Sequence, residues 1–118
     1  MNKIKELPHN HGEDRNLIDN VPEIETIVSV SDAMKLLGDP SRLRIFWILC
    51  HATECVQNIA ALTNMSSPAV SHHLKLLKSG GLIDSVRHGK EVYYSASETA
   101  LVDSLHHVIE DIADISCP

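Results

Sequence analysis

Aromatic residues are scarce in this sequence, which holds one Trp, one Phe and two Tyr among 118 positions. An aromatic-lined substrate pocket is therefore not expected, and the core must be assembled from Leu, Ile, Val and Ala, which suits a largely helical fold. Long apolar runs are missing as well. The longest, such as 45–50 and 59–62, fall far short of the roughly 20 residues that a bilayer-spanning helix needs, so no membrane partner is expected. The opening MNKIKELPHNHGEDRN lacks the apolar block of about 7–15 residues that marks a secretory signal, which points to a cytoplasmic protein. The three cysteines are an odd number, and in a reducing compartment they argue against a disulfide framework. Cys50, Cys55 and Cys117 read instead as metal ligands, redox sensors or small buried apolar groups. H-E-x-x-H, G-x-S-x-G and phosphate-loop motifs are also absent. A small metal-binding enzyme or an adaptor domain is thus the remoter class; no catalytic residue and no organic cofactor are assigned.

The formal charge of −6 looks wrong for a protein that touches nucleic acid until its distribution is considered. Residues 40–95 carry six basic and three acidic side chains, whereas 1–39 carry four and eight, and 96–118 carry none and five. The middle is thus net basic before its four histidines are counted. A basic centre between acidic ends is compatible with phosphate contact.

A chain of this length holds one domain and a short tail. Residues 1–22 are polar, contain Pro8, Gly12 and Pro22 and show no apolar period, so they read as a flexible, histidine-containing arm ahead of a domain at 23–118. Ile27, Val30, Met34 and Leu37 then mark one face of a helix that stops at Gly38. Asp39-Pro40 opens a second helix as cap and first-turn proline, and its body SRLRIFWILC is apolar nearly all round. A short helix over 56–63 ends at Asn64. Another starts at Ser66-Ser67-Pro68 and runs to Gly80-Gly81, with Val70, Leu74 and Leu77 as its inner stripe. Two short helices joined by a tight turn form a helix-turn-helix candidate. Leu82 to Arg87 and Glu91 to Ser95 flank His88-Gly89-Lys90 as a β-hairpin. The last helix has Ser97 as its expected cap and an apolar seam of Leu101, Leu105, Val108, Ile112 and Ile115, which invites pairing with a second copy. The expected class is mainly α with a small β-hairpin, in the order α-α-α-α-β-β-α.

A recognition helix needs an inner apolar stripe for attachment and an outer stripe of short polar or basic side chains for bases and phosphates. Ser67, Ser71, His72, Lys75 and Lys78 occupy the outer positions here, and Arg87, His88 and Lys90 cluster at the hairpin tip. By themselves these would equally suit a solvated helix face and an ordinary basic turn.

The stretches LGDPSRLRIFWILC, IAALTNMSSPAVSHHLKLLKSGGLI and VRHGKEVYYS together resemble the ArsR/SmtB family of bacterial repressors over roughly residues 30–115. The resemblance implies a winged helix-turn-helix, a homodimer formed through the first and last helices, and double-stranded operator DNA as partner, with release when an inducer binds. It places DNA contacts at Ser67, Ala69, Ser71, His72 and the wing tip.

Most sensors of this family bind metals. Cys50, His51 and Cys55 in CHATEC offer thiolate and imidazole, donors that suit zinc, cadmium or lead. In members with a site at the third helix, ligands come from the N-terminal arm and from a cysteine in a segment like ECVQNIA. Cys55 matches that cysteine, and His9 and His11 are the arm's candidates, while Gln57 stands where some members have a second cysteine. The family's site on the last helix uses D-x-H followed by H-x-x-E or H-x-x-H; aligned from the wing, those places hold Glu98, Ala100, Asp111 and Asp114, without histidine. Asp103, His106, His107 and Glu110 form a polar face nearby, more economically read as solvated than as a displaced site. Cys117 either joins Cys50 and Cys55 around a metal or pairs with Cys50, as in persulfide-responsive members, to give a thiol-based sensor.

Overall fold

Local backbone signals become the joints of the fold. The computed structural model describes residues 7–9, 12 and 15–115, and the chain divides into two units, 1–31 and 32–118. The first unit contains helix α1 (Arg15–Asn20) and the start of α2 (Ile24–Leu36). The arm expected to be irregular through residue 22 therefore includes a helix, and the division falls inside α2. Two turns are too short for an apolar period to reveal them in a polar stretch.

In the second unit, α3 (Pro40–His51) begins where Asp39 accepts a hydrogen bond from the Arg42 N–H at 2.8 Å, with Pro40 in the first turn. Strand β1 (Glu54–Cys55) leads directly into α4 (Val56–Thr63), which ends on Asn64 in the left-handed region at φ 55°. Asparagine tolerates this conformation better than most side chains. Helix α5 (Ser67–Ser79) is capped by Ser66, whose hydroxyl accepts from the Ala69 N–H at 3.2 Å, and Pro68 falls in its first turn. Gly80 closes it, its N–H donating to the Leu76 carbonyl at 3.0 Å, and a Cβ there would meet the Leu36 side chain.

Strands β2 (Ile83–His88) and β3 (Glu91–Ala96) pair antiparallel from Ile83–Ala96 to His88–Glu91, around Gly89 at φ +65°. Strand β1 adds to the other edge of β3 through Glu54–Tyr94 and Cys55–Tyr93, giving the order β1-β3-β2. This third strand was not expected, since two residues cannot display a strand's alternation. Helix α6 (Ala100–Ala113) follows. Its cap is Thr99 rather than the expected Ser97: Thr99 Oγ1 accepts from the Val102 N–H at 3.2 Å, whereas Ser97 is buried and its N–H donates to the Leu82 carbonyl at 3.0 Å. The fold is thus mainly helical with a small hairpin, as the pattern suggested.

The core joins Ile45, Phe46 and Leu49 of α3, Ile59 of α4, Val70, Leu74 and Leu77 of α5, Leu82, Ile83 and Val102. The lone phenylalanine lies at its centre, fully enclosed. The α6 seam divides in two. Its member Leu105 packs on this core beside Val102 and Ile109, which lie outside the expected seam, while Leu101, Val108, Ile112 and Ile115 are exposed, Ile112 by 81%. Exposed apolar side chains also mark α2, among them Ile27, Val30 and Met34.

Candidate nucleic-acid interface and metal-ligand cluster

Helices α4 and α5 with the turn at residues 64–66 make the helix-turn-helix. Val70, Leu74 and Leu77 hold α5 to the core, which turns Ser67, Ser71, His72 and Lys75 outward; all four are exposed, and Ala69 is half-buried beside them. The neighbouring histidine has a different task. His73 lies with Nδ1 3.3 Å from Arg42 Nη1 and Nε2 3.7 Å from Asp39 Oδ2, while Arg42 Nε donates to the Leu36 carbonyl. This polar knot ties α5 to the start of α3. The Arg42 N–H, with the charges of His73 and Arg42 behind it, holds the Asp39 carboxyl below its usual pKa, outweighing its partial desolvation.

The wing presents Arg87, His88 and Lys90, all exposed. Lys78 Nζ donates to Ser85 Oγ at 2.6 Å, linking the end of α5 to β2. Tyr93 donates its hydroxyl hydrogen to Glu91 Oε2 at 3.0 Å, which retains that proton and raises the phenol's pKa. Recognition helix and wing thus form one surface of short polar and basic groups, with no buried carboxylate pair and no nucleophile–base arrangement among the described residues.

Residues 39–85 match the family described as bacterial regulatory protein, arsR family. The transcriptional repressor SdpR of Bacillus subtilis is 34% identical over 83 residues, covering 70% of this chain and 92% of that protein. The chain belongs to the ArsR family. This ArsR-family chain is a transcriptional repressor with a DNA-binding winged helix-turn-helix, not an enzyme. The cadmium resistance transcriptional regulatory protein CadC of Listeria innocua is 46% identical over 67 residues, which are 56% of each chain. Among solved structures, the homodimeric winged helix-turn-helix DNA-binding domain of Mb0332 from Mycobacterium bovis superposes with a TM-score of 0.68 at 28% identity, covering 89% of this chain and 91% of that one. No described helix is long and apolar enough to cross a membrane.

The soft donors of this ArsR-family repressor fall on different elements. Cys55 occupies the cap position of α4 and is buried, Cys50 is half-buried one residue before the end of α3, and His9 is exposed in the first unit. His11 and Cys117 lie outside the described residues. Among the described residues, one group of three or more His, Cys, Asp and Glu side chains has donor atoms close enough for a shared ion, and it is His51, His106 and Glu110. Of the sequence-derived metal candidates, this group takes in His51 alone. The polar face of α6 splits accordingly. His106 and Glu110 turn toward α3, while Asp103 and His107 remain exposed with their own contact, His107 Nδ1 lying 2.8 Å from the Asp103 carbonyl. The i, i+4 spacing of His106 and Glu110 was visible in sequence; that α3 would bring a second imidazole to them was not.

Proposed function

We propose that this repressor acts as a homodimer whose two α5 helices enter successive major grooves of a near-palindromic operator, and that a soft or borderline metal ion, in the range of zinc, cadmium and lead, releases it. The observation that carries the DNA reading is the division of α5 into a buried stripe of Val70, Leu74 and Leu77 and an opposite exposed row of Ser67, Ser71, His72 and Lys75. Serine and histidine at 67, 71 and 72, with the backbone at Ala69 close to the groove, read base edges; Lys75 and the wing residues Arg87, His88 and Lys90 neutralise phosphates. Exposed apolar side chains on α2 and on α6 supply the surfaces for a second copy, and Mb0332 is a homodimer with a similar fold. In such a dimer the separation of the α5 helices must match about one turn of B-DNA, roughly 34 Å. An ion that prefers a dimer geometry with a different separation lowers operator affinity by its differential affinity for the two geometries.

Thiolate and imidazole donors within Cys50, His51 and Cys55, together with the likeness to a cadmium resistance regulator, support a metal as the inducer. Fluorescence anisotropy of labelled operator DNA tests both halves of this reading. Sequence-selective binding that is salt-sensitive, and reversed by zinc, cadmium or lead, is expected; absence of selective binding sinks the contact assignment. Reversal by a polysulfide but by no metal, lost in Cys50→Ser or Cys117→Ser, replaces the metal with thiol chemistry.

A further inference from the structure

Three titratable side chains from two helices meet at the end of α3. His51 closes that helix, and His106 and Glu110 stand one turn apart on α6. The two Nε2 atoms are 3.0 Å apart, Glu110 Oε1 is 3.2 Å from His106 Nε2, and Glu110 Oε2 is 3.6 Å from His51 Nε2. Nitrogen and oxygen ligands about 2.0–2.1 Å from a tetrahedral zinc ion stand about 3.3 Å from one another, by the geometry of the tetrahedron. The separations within the cluster bracket that value.

Burial and packing add a second argument. The side chains of His51, His106 and Glu110 are only 14%, 17% and 11% exposed, so their polar atoms have surrendered most of their water. The Trp47 ring packs on His51 with centroids 4.4 Å apart, and the His106 ring meets His51 edge-on at 4.6 Å, so both imidazoles are packed, with their Nε2 atoms toward Glu110. Held donors of this kind are what a metal site requires of its surroundings. An open groove of about 730 Å³, lined in part by Cys50, His51, Asp103 and His106, gives an ion access and leaves space for water at the coordination position the protein does not fill.

We propose that His51, His106 and Glu110 form a mononuclear site, within one chain, for a borderline divalent ion such as zinc or cobalt(II). Two imidazoles and a carboxylate suit zinc, cobalt and nickel; the set lacks the thiolate that lead or arsenite would demand. The site joins the two parts of the repressor that must move together. The end of α3 continues through β1 into the helix-turn-helix, whereas α6 carries the exposed Leu101, Val108 and Ile112. An ion bound between them fixes α6 against α3. In this respect the inference deepens the metal-release reading and rests on it for any effect on DNA, while the site itself is measured separately.

Cobalt(II) is the probe. The full-length, metal-free protein is titrated with cobalt(II), with binding followed by visible absorption and then reversed by zinc. One ion per chain is expected. His106→Ala and the near-isosteric Glu110→Gln should each weaken it by about tenfold or more, with circular dichroism confirming that both variants fold. Zinc should shift the Nε2 resonances of His51 and His106. No saturable binding to the unaltered protein, or binding that survives Glu110→Gln but is lost with a cysteine, overturns the site. Operator release is read in parallel. Cobalt held by these three residues, with no release of DNA by cobalt, zinc, cadmium or lead, keeps the site and removes the metal-release reading; release without binding there keeps that reading and removes the site.

Discussion

The two ends of α3 are secured in opposite ways. At its start, Asp39 caps the helix, Pro40 sets its first turn, and a long-range partner, His73, belongs to the recognition helix. At its end, His51 has its polar partners in His106 and Glu110, more than fifty residues away on α6. One end therefore registers the position of the DNA-reading helix and the other the position of the last helix. The helix between them is packed through Ile45, Phe46 and Leu49, so both ends are built on one core.

The most drastic way to break this comparison is to remove what the two ends share. Phe46 is fully buried at the middle of α3, and Phe46→Ala should destabilise the fold by about 3–5 kcal/mol through lost burial and a cavity. Denaturant unfolding measures the loss, and operator binding and cobalt binding should weaken together at temperatures where the unaltered protein is still folded. A variant that lost one and kept the other would show that the two ends do not depend on a common core.

A more selective change separates the ends. The paired substitution Ser71→Ala with His72→Ala removes two exposed side chains that make no contribution to the core. Operator affinity should fall by about 1–3 kcal/mol and discrimination between operator and unrelated DNA should shrink, while cobalt affinity and unfolding midpoint stay put. Lys75→Ala should instead weaken all DNA alike and reduce the salt slope by about one. If the serine and histidine behaved like the lysine, base reading would have to be reassigned within α5.

The contrast also explains what could be read from sequence. Caps and turns are local chemistry. Ser66 with Pro68, Asn64 after α4, and Gly89 between the strands each stand out as residues that only a few backbone conformations favour. Where the same kind of reasoning slipped, at Ser97, a second capping residue lay two positions on and the tertiary bond from the Ser97 N–H to Leu82 decided between them. The seam of α6 was visible as a period, but the helix is apolar on two sides, and Val102 and Ile109, which face the core with Leu105, lie outside that period. The cluster of His51, His106 and Glu110 was the least legible, because its defining contact depends on how α6 crosses α3. Asn64 offers a check on the local side of this account: with φ at 55°, Asn64→Ala should cost about 1 kcal/mol and Asn64→Gly little or nothing. Equal losses in the two variants would mean that the asparagine side chain, not its backbone conformation, matters there.

The smallest expected effect lies at the start of α3 and concerns charge. The Asp39 carboxyl has its pKa lowered mainly by the Arg42 N–H, with help from the His73 and Arg42 charges. A carboxylate whose folded pKa is depressed contributes stability that is fully present above its unfolded value, near 3.8, and lost as pH falls through the lower folded value. Asp39→Asn keeps an oxygen that can accept from the helix N-terminus but discards the charge. Unfolding midpoints taken from about pH 7 down to about pH 2.5 should therefore show the variant slightly less stable at neutral pH and the difference closing in acid, as the natural aspartate takes up its proton. Because Asp39 faces His73 of the recognition helix rather than the cluster on α6, operator affinity at neutral pH should feel the change more than cobalt affinity. A pH-independent difference, or an effect confined to cobalt, would mean that the start of α3 is not held by the charge of its cap and that its link to α5 runs through Arg42 alone.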